Sequence, residues 1–175
     1  GLKVLAFEQY GAGPFGSQYL SDLGAEVIKI EPAGTDGDYL RALGPYFIDE
    51  ERNSASSIFF QALNRNKKSI CLDIKTKEGF KILKDLIKKS DVIIDNFKPG
   101  FWDKIGLSNN WFNKNVKNVV RTSISGYGVK GPQGGLPGYD FLMQAESGLM
   151  KITGETKGEP MKLGVAIVDI VTGLN

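Results

Sequence analysis

The chain has 175 residues, of which 41% are hydrophobic and 24% charged, and a formal net charge of +2 from 22 basic and 20 acidic side chains. These values describe one globular domain, and so small an excess charge argues against bulk electrostatic attraction to nucleic acid or to a membrane surface. There is no histidine, which removes Ser-His-Asp and Cys-His hydrolysis and every His-based metal site from what this chain can supply.

Residues 2–7 alternate and then run apolar, which predicts a buried strand. Directly behind it stands Gly11-Ala12-Gly13-Pro14-Phe15-Gly16, followed by a helical pattern over 15–23 with Tyr19, Leu20 and Leu23 on one face. Residues 25–30 read as a second strand, and Glu31 follows Gly11 by 20 positions. Strand, glycine run, helix and later carboxylate together have the layout of a dinucleotide-binding fingerprint, with NAD as the cofactor it implies. Residues 33–54 are polar and Gly-rich and predict a long loop, a feature more often functional than idle.

Further on, 57–63 reads as a helix and 69–72 as a strand. Thr76 ahead of Glu78 predicts a helix start, with Phe80, Ile82, Leu83, Leu86 and Ile87 as its apolar stripe. Residues 91–97 form a strand around Val92-Ile93-Ile94, and Pro99 suits an early helical position. A strand over 118–125 and a helix over 139–149 flank a segment with six glycines and two prolines between 125 and 138. That segment is either a surface connector or backbone that approaches a ligand closely. Residues 165–175 begin an apolar element with Asp169 placed like a helix N-cap, and the abrupt stop suggests truncation. Alternating strands and helices predict an α/β fold on a parallel sheet with right-handed crossovers.

Cys71 is alone, so it forms no intrachain disulfide and is expected to be a buried structural thiol. No apolar stretch nears the roughly 20 residues that span a bilayer, and no signal peptide opens the chain, so the expected location is cytoplasmic.

Several blocks together resemble the family III CoA-transferases, the CaiB/BaiF family. They are residues 1–7, Ala12-Gly13-Pro14-Phe15, the run from Asp22 to Pro32, Gly37-Asp38, Arg41, and the run from Asn64 to Ile70. Leu72-Asp73, Asn96-Phe97-Lys98-Pro99-Gly100, the run from Ser123 to Gly128, Gly138-Tyr139-Asp140 and Val168-Asp169 to Gly173 complete the series. The resemblance covers nearly the whole chain and implies a Rossmann-like three-layer domain with a mostly parallel sheet. It implies the N-terminal part of the family's large domain, without the second, smaller domain. Family members run to more than twice this length, with a glycine-rich lid and two interlocked subunits, so the implied assembly is a homodimer and this piece alone is expected to be inactive.

The resemblance moves the ligand from NAD to coenzyme A. It implies CoA contacts from Gln9, Tyr10, Gly11 and Ala12, from Arg41, and from Leu72, Asp73, Ile74 and Lys75. It implies further contacts from Asn96, Phe97, Lys98, Lys104, Pro137, Gly138, Tyr139 and Asp140. Lys75, Lys98 and Lys104 also suit a ligand with a diphosphate and a ribose phosphate. Two positions depart from the family: Pro32 stands where many members carry a basic residue, and Lys104 replaces a frequent arginine. The resemblance makes Asp169 the nucleophile, with acyl-CoA and a carboxylic acid acceptor as partners and no metal. Glu31 then becomes an ordinary strand-end carboxylate.

Alpha-methylacyl-CoA racemases belong to the same family, but their catalytic histidine would follow Gly138, where this chain has Tyr139. A phenol is a poor base near neutral pH, which favours transfer over racemisation. An NAD-dependent oxidoreductase and an inactive CoA-binding fragment are the remaining alternatives.

Overall fold

Strand β1 (Lys3–Phe7) is apolar from Val4 to Phe7 because both of its faces are covered, as a central parallel strand requires. In the computed structural model, which describes residues 1–48 and 57–175, β1 pairs with β2 (Glu26–Pro32) on one side. On the other side it pairs with β4 (Val92–Asp95). Strands β3 (Lys68–Leu72) and β5 (Val120–Ser123) complete a sheet of order β3-β2-β1-β4-β5, with every pairing parallel. The expected α/β fold is present. The chain runs outward from β1 through β2 to β3, then returns to the far side of β1 as β4. The C-terminal ends of β1 and β4 therefore flank a crevice, the place where open parallel sheets hold ligands.

Helices cover both faces. Leu5, Phe7 and Ile93 pack with Leu83 and Ile87 of α3 (Lys77–Lys88), Trp102 of α4 (Phe101–Lys104) and Phe112 of α5 (Asn109–Asn115). On the opposite face Val4, Ala6, Val27 and Ile94 meet Leu20 of α1 (Ala12–Asp22). Local capping agrees with the sequence: the Thr76 hydroxyl accepts the Gly79 N–H (3.0 Å) at the start of α3. Ser57 likewise caps α2 (Ile58–Asn64), its Oγ accepting the Phe60 N–H (2.9 Å).

Several expectations need correction. The predicted helix over 139–149 is two helices, α6 (Asp140–Glu146) and α7 (Leu149–Thr153), because Gly148 takes φ 77° and breaks the run. Pro99 lies outside α4, whose N-cap is Gly100 at φ 84°. Cys71 is exposed rather than buried, since β3 is an edge strand with one uncovered flank. The predicted loop over 33–54 contains a 3-10 turn, Tyr39–Ala42, capped by Asp38, and residues 49–54 lie outside the described residues.

The last helix, α8 (Ile167–Leu174), lies against α1. Backbones touch there: a Cβ on Gly16 would stand 2.7 Å from the Gly173 carbonyl, and one on Gly173 2.7 Å from the Ala12 carbonyl. Only bare α-carbons allow this approach.

Candidate active site

A cleft of about 1000 Å³ opens over the C-terminal ends of β1 and β4. Its floor is the turn that follows β1. Asn96, just past β4, clamps that turn: its Oδ1 accepts the Gln9 N–H (2.9 Å) and its amide donates to the Gln9 carbonyl (2.6 Å). Tyr10 then takes φ 66°, a left-handed value rare for a residue with a Cβ, and delivers Gly11 beneath α8.

Asp169 stands on the first turn of α8, directly over Gly11. A methyl group on Gly11 would collide with the Asp169 carboxylate at Oδ2. The sequence placed Asp169 at the helix N-cap, but the cap position is Ala166 and Asp169 lies inside the helix. Asp140 performs the capping instead. Its Oδ1 accepts the N–H groups of Val168 (2.7 Å) and Asp169 (3.2 Å), while Gln144 donates to its Oδ2. Gln144 Oε1 in turn accepts the Leu163 N–H (2.9 Å), so α6 holds the segment leading into α8. Burial, and secondarily the charge of Asp140, push the Asp169 carboxyl up to about 6. Burial also raises the Tyr10 phenol, with Asp169 the next contributor.

Many of the residues expected at a CoA site meet in this cleft. Gln9, Tyr10, Gly11 and Ala12 line one part, Asn96, Phe97 and Lys98 another, and Pro137, Gly138, Tyr139 and Asp140 a third, together with Asp169. Six do not line it: Arg41, Leu72, Asp73, Ile74, Lys75 and Lys104. Leu72 is in the core, Asp73 Oδ1 accepts the Lys75 N–H (2.9 Å) in the turn after β3, and Lys104 ends α4.

Arg41 is committed elsewhere. Its Nε and Nη2 bind both carboxylate oxygens of Glu31 (2.8 and 2.6 Å), and its guanidinium lies 3.9 Å from the Phe60 ring centroid. Glu31 is 1% exposed and also accepts the Asp38 N–H (2.7 Å) and the Ser69 hydroxyl. Burial pushes its carboxyl up, but these donors outweigh burial and bring it down to about 2. Glu31 is therefore a buried, fully partnered anion rather than an ordinary strand-end carboxylate. Both its oxygens are occupied, so it offers nothing to a ribose. The glycines of the apparent dinucleotide fingerprint are accounted for by packing: Gly11 under Asp169, Gly13 against Glu8, Gly16 against Gly173.

Sequence reasoning missed Tyr39, Met143, Glu146, Ser147 and Thr172, all of which line the cleft. Helical spacing could have found some of them: Met143 and Ser147 follow Asp140 by three and seven positions, and Thr172 follows Asp169 by three. The glycine-rich segment from 125 to 138 contributes Ser125, Gly126 and Tyr127 to the wall, so it borders the site rather than merely connecting elements. Among the described residues no group of three or more His, Cys, Asp or Glu is placed to hold a metal ion. No helix among them is long and apolar enough to cross a membrane.

The sheet order, the switch-point cleft and a carboxylate rising from a helix over it define an α/β domain with an aspartate facing its crevice. The sequence model of CoA-transferase family III matches residues 1–175, and the chain belongs to that family. It is 42% identical over 176 residues to a succinate–glutarate CoA-transferase of Agrobacterium fabrum, covering 99% of this chain and 44% of that protein. It is 38% identical over 175 residues to an acetyl-CoA:oxalate CoA-transferase of Acetobacter aceti, covering 99% and 43%. A crystal structure of a CaiB/BaiF family protein from Brucella suis superposes with a TM-score of 0.92 at 44% identity, covering 99% of this chain and 45% of that one. The chain thus spans less than half the length of the relatives it matches.

Proposed function

We propose that residues 1–175 form the CoA-binding, nucleophile-bearing part of an acyl-CoA:carboxylate CoA-transferase, in which Asp169 is the nucleophile. The observation that carries this reading is the Asp169 carboxylate seated over Gly11, on the floor of the switch-point cleft, with its carboxyl at about 6. Such a carboxyl is ionised at neutral pH yet poorly solvated, which suits a nucleophile.

The Asp169 carboxylate attacks the thioester carbonyl of an acyl-CoA. The C–S bond breaks, giving an aspartyl–acyl anhydride and CoA thiolate. The thiolate attacks the aspartyl carbonyl and releases the acyl group as a carboxylate, leaving an aspartyl-CoA thioester. An incoming carboxylate attacks that thioester, forming a new anhydride and freeing the thiolate again. Attack of the thiolate on the new acyl carbonyl gives the product acyl-CoA and regenerates Asp169. Each tetrahedral oxyanion needs hydrogen-bond donors, and main-chain N–H groups of Ser125, Gly126 and Tyr127, which line the cleft, are candidates. Lys98, the cation lining the cleft among the described residues, suits the CoA phosphates. Relatives named for succinate, glutarate and oxalate make small dicarboxylic acids the substrate class to test first. The working assembly on this reading is a cytoplasmic homodimer.

Intact-mass spectrometry after incubation with succinyl-CoA tests the reading. A CoA adduct that maps to Asp169 and is absent in Asp169→Ala supports it. In a chain that spans the full length of its relatives, CoA bound without any Asp169 adduct overturns it.

A further inference from the structure

Two buried lysines from different parts of the chain converge on Glu8, the residue between β1 and the turn that floors the cleft. Lys29 Nζ, from β2, donates to the Glu8 main-chain carbonyl (2.9 Å) and pairs with Asp38 (2.7 Å). Lys67 Nζ, just before β3, donates to Glu8 Oε1 (2.8 Å), to the Pro14 carbonyl (2.8 Å) and to Asn64 Oδ1 (3.1 Å). In both ion pairs the side chains are at most 1% exposed. Ion pairs this deep carry a desolvation cost that an apolar cluster of the same volume would avoid, and they add little net stability. The geometry they fix is the more telling property.

Lys67 spans the turn. One of its bonds holds the Glu8 carboxylate at the end of β1, and another holds Pro14 in the first turn of α1. Ser17 Oγ donates to the same Glu8 oxygen, and the Glu8 side chain presses on Gly13, where an added Cβ would stand 2.9 Å from Glu8 Cβ. Asn96 clamps Gln9 from the other side. Between these fixed points Tyr10 is kept at its left-handed φ, a conformation that persists only when its surroundings over-determine it.

We propose that Lys67 is a positioning residue for Asp169: by tying Glu8 to Pro14 it shapes the turn from Gln9 to Gly13 so that Gly11 lies flush beneath the Asp169 carboxylate. Its importance for chemistry rests on the reading of Asp169 as nucleophile. Its geometric content does not. If the tie is cut, the turn relaxes, Gly11 withdraws, water reaches the carboxylate and the desolvation of Asp169 is lost. Burial lowers the Lys67 ammonium to about 8, so the tie is formed throughout the acidic range in which Asp169 titrates. The groups acting on Asp169 are its own burial and Asp140 from α6, with Tyr10 facing it from the turn. Tyr39, Lys98, Tyr127, Tyr139 and Glu146 line the same cleft, and the substitution at Lys67 removes none of them.

The test is a carbon-13 NMR titration of the Asp169 carboxyl in the 175-residue chain and in Lys67→Met, with circular dichroism confirming that the variant is folded. The expected result is a midpoint near 6 in the native chain, and one lower by about one pH unit in folded Lys67→Met. An unchanged midpoint in folded Lys67→Met overturns the proposal, because a purely stabilising role would leave Asp169 as it was. If Lys67→Met does not fold, Glu8→Gln decides: it removes the ion pair that Lys67 makes across the turn. Glu8 is not among the charges that act on Asp169, so a fall supports the proposal and no fall overturns it. A missing CoA adduct in mass spectrometry would sink the nucleophile reading without touching this result.

Discussion

Asp140 caps the helix that carries Asp169, although 29 positions separate them in the chain. Its carboxylate receives the first free N–H groups of α8 while its charge opposes ionisation of the neighbour it supports. Asp140→Asn keeps an acceptor oxygen and removes the charge. The Asp169 midpoint should fall by about half a pH unit, since burial, the larger cause, remains. An NMR titration of the Asp169 carboxyl checks this.

The raised carboxyl also makes stability depend on pH. An unfolded aspartate titrates near 3.9, whereas Asp169 in the folded chain titrates at about 6. Between those values the folded state binds more protons, so stability falls as pH rises from about 4 to about 6 and stays lower above. Asp169 is only half-buried, and solvent screening reduces the effect to about 1 kcal/mol. Asp169→Asn should therefore be more stable than the native chain by about that amount at pH 7, and indistinguishable near pH 4, in urea unfolding.

The same ionisation should appear in reactivity. On the proposed reading, formation of a CoA adduct requires the Asp169 anion, so its rate should climb about tenfold per pH unit below 6 and level off above. A rate that is flat across this range would separate the chemistry from Asp169.

Gly11→Ala places a methyl group where the carboxylate now sits. The chain can relieve the clash by moving α8 or rotating the Asp169 side chain, and either displaces the carboxylate proposed as nucleophile. Adduct formation should drop by about a hundredfold, the scale expected for a misplacement near 1 Å. Measuring the adduct rate in folded Gly11→Ala decides it.

Glu31 behaves in the opposite sense to Asp169. Its folded value of about 2 lies below its ordinary value, so its contribution is complete above about pH 4.5 and disappears as pH falls through about 2. Glu31→Gln should cost about 2 kcal/mol at pH 7, leaving Arg41 without its counter-charge, and should flatten the acid side of the stability profile. Urea unfolding of both chains at pH 7 and pH 3 provides the comparison.

Hydrophobic patterning placed β1, β2, β3 and β4 within one or two residues. β1 and the Val92-Ile93-Ile94 run of β4 are apolar as central parallel strands require, while β2 and the edge strand β3 keep only alternating apolar positions. Short-range chemistry was equally legible where the partner is local, as with Thr76 and Gly79. Long-range partners were not. Asp169 has the residue type and place of a cap, yet Asp140 fills that role from another helix. Glu31 looked like a free strand end because its partner Arg41 lies beyond a loop and its partner Ser69 on another strand. Helix α5 escaped notice because its sequence, Asn-Asn-Trp-Phe-Asn-Lys-Asn, is poor in helix formers and is held by Phe112 in the core. In the site, contiguous blocks such as 9–12 and 137–140 were readable. The scattered member Tyr39 depends on how its 3-10 turn leans over the cleft, which no local pattern encodes.

The bare contact between Gly16 and Gly173 has an implication for how the protein is made. Helix α1 can form soon after synthesis begins, but the surface that receives α8 stays vacant until the segment around Gly173 has been translated. The parallel sheet can assemble in the meantime, so an early folded stage would possess the ligand crevice without the aspartate that faces it. The face of the cleft that carries Asp169 is thus completed after the sheet, by the docking of one short helix against the first.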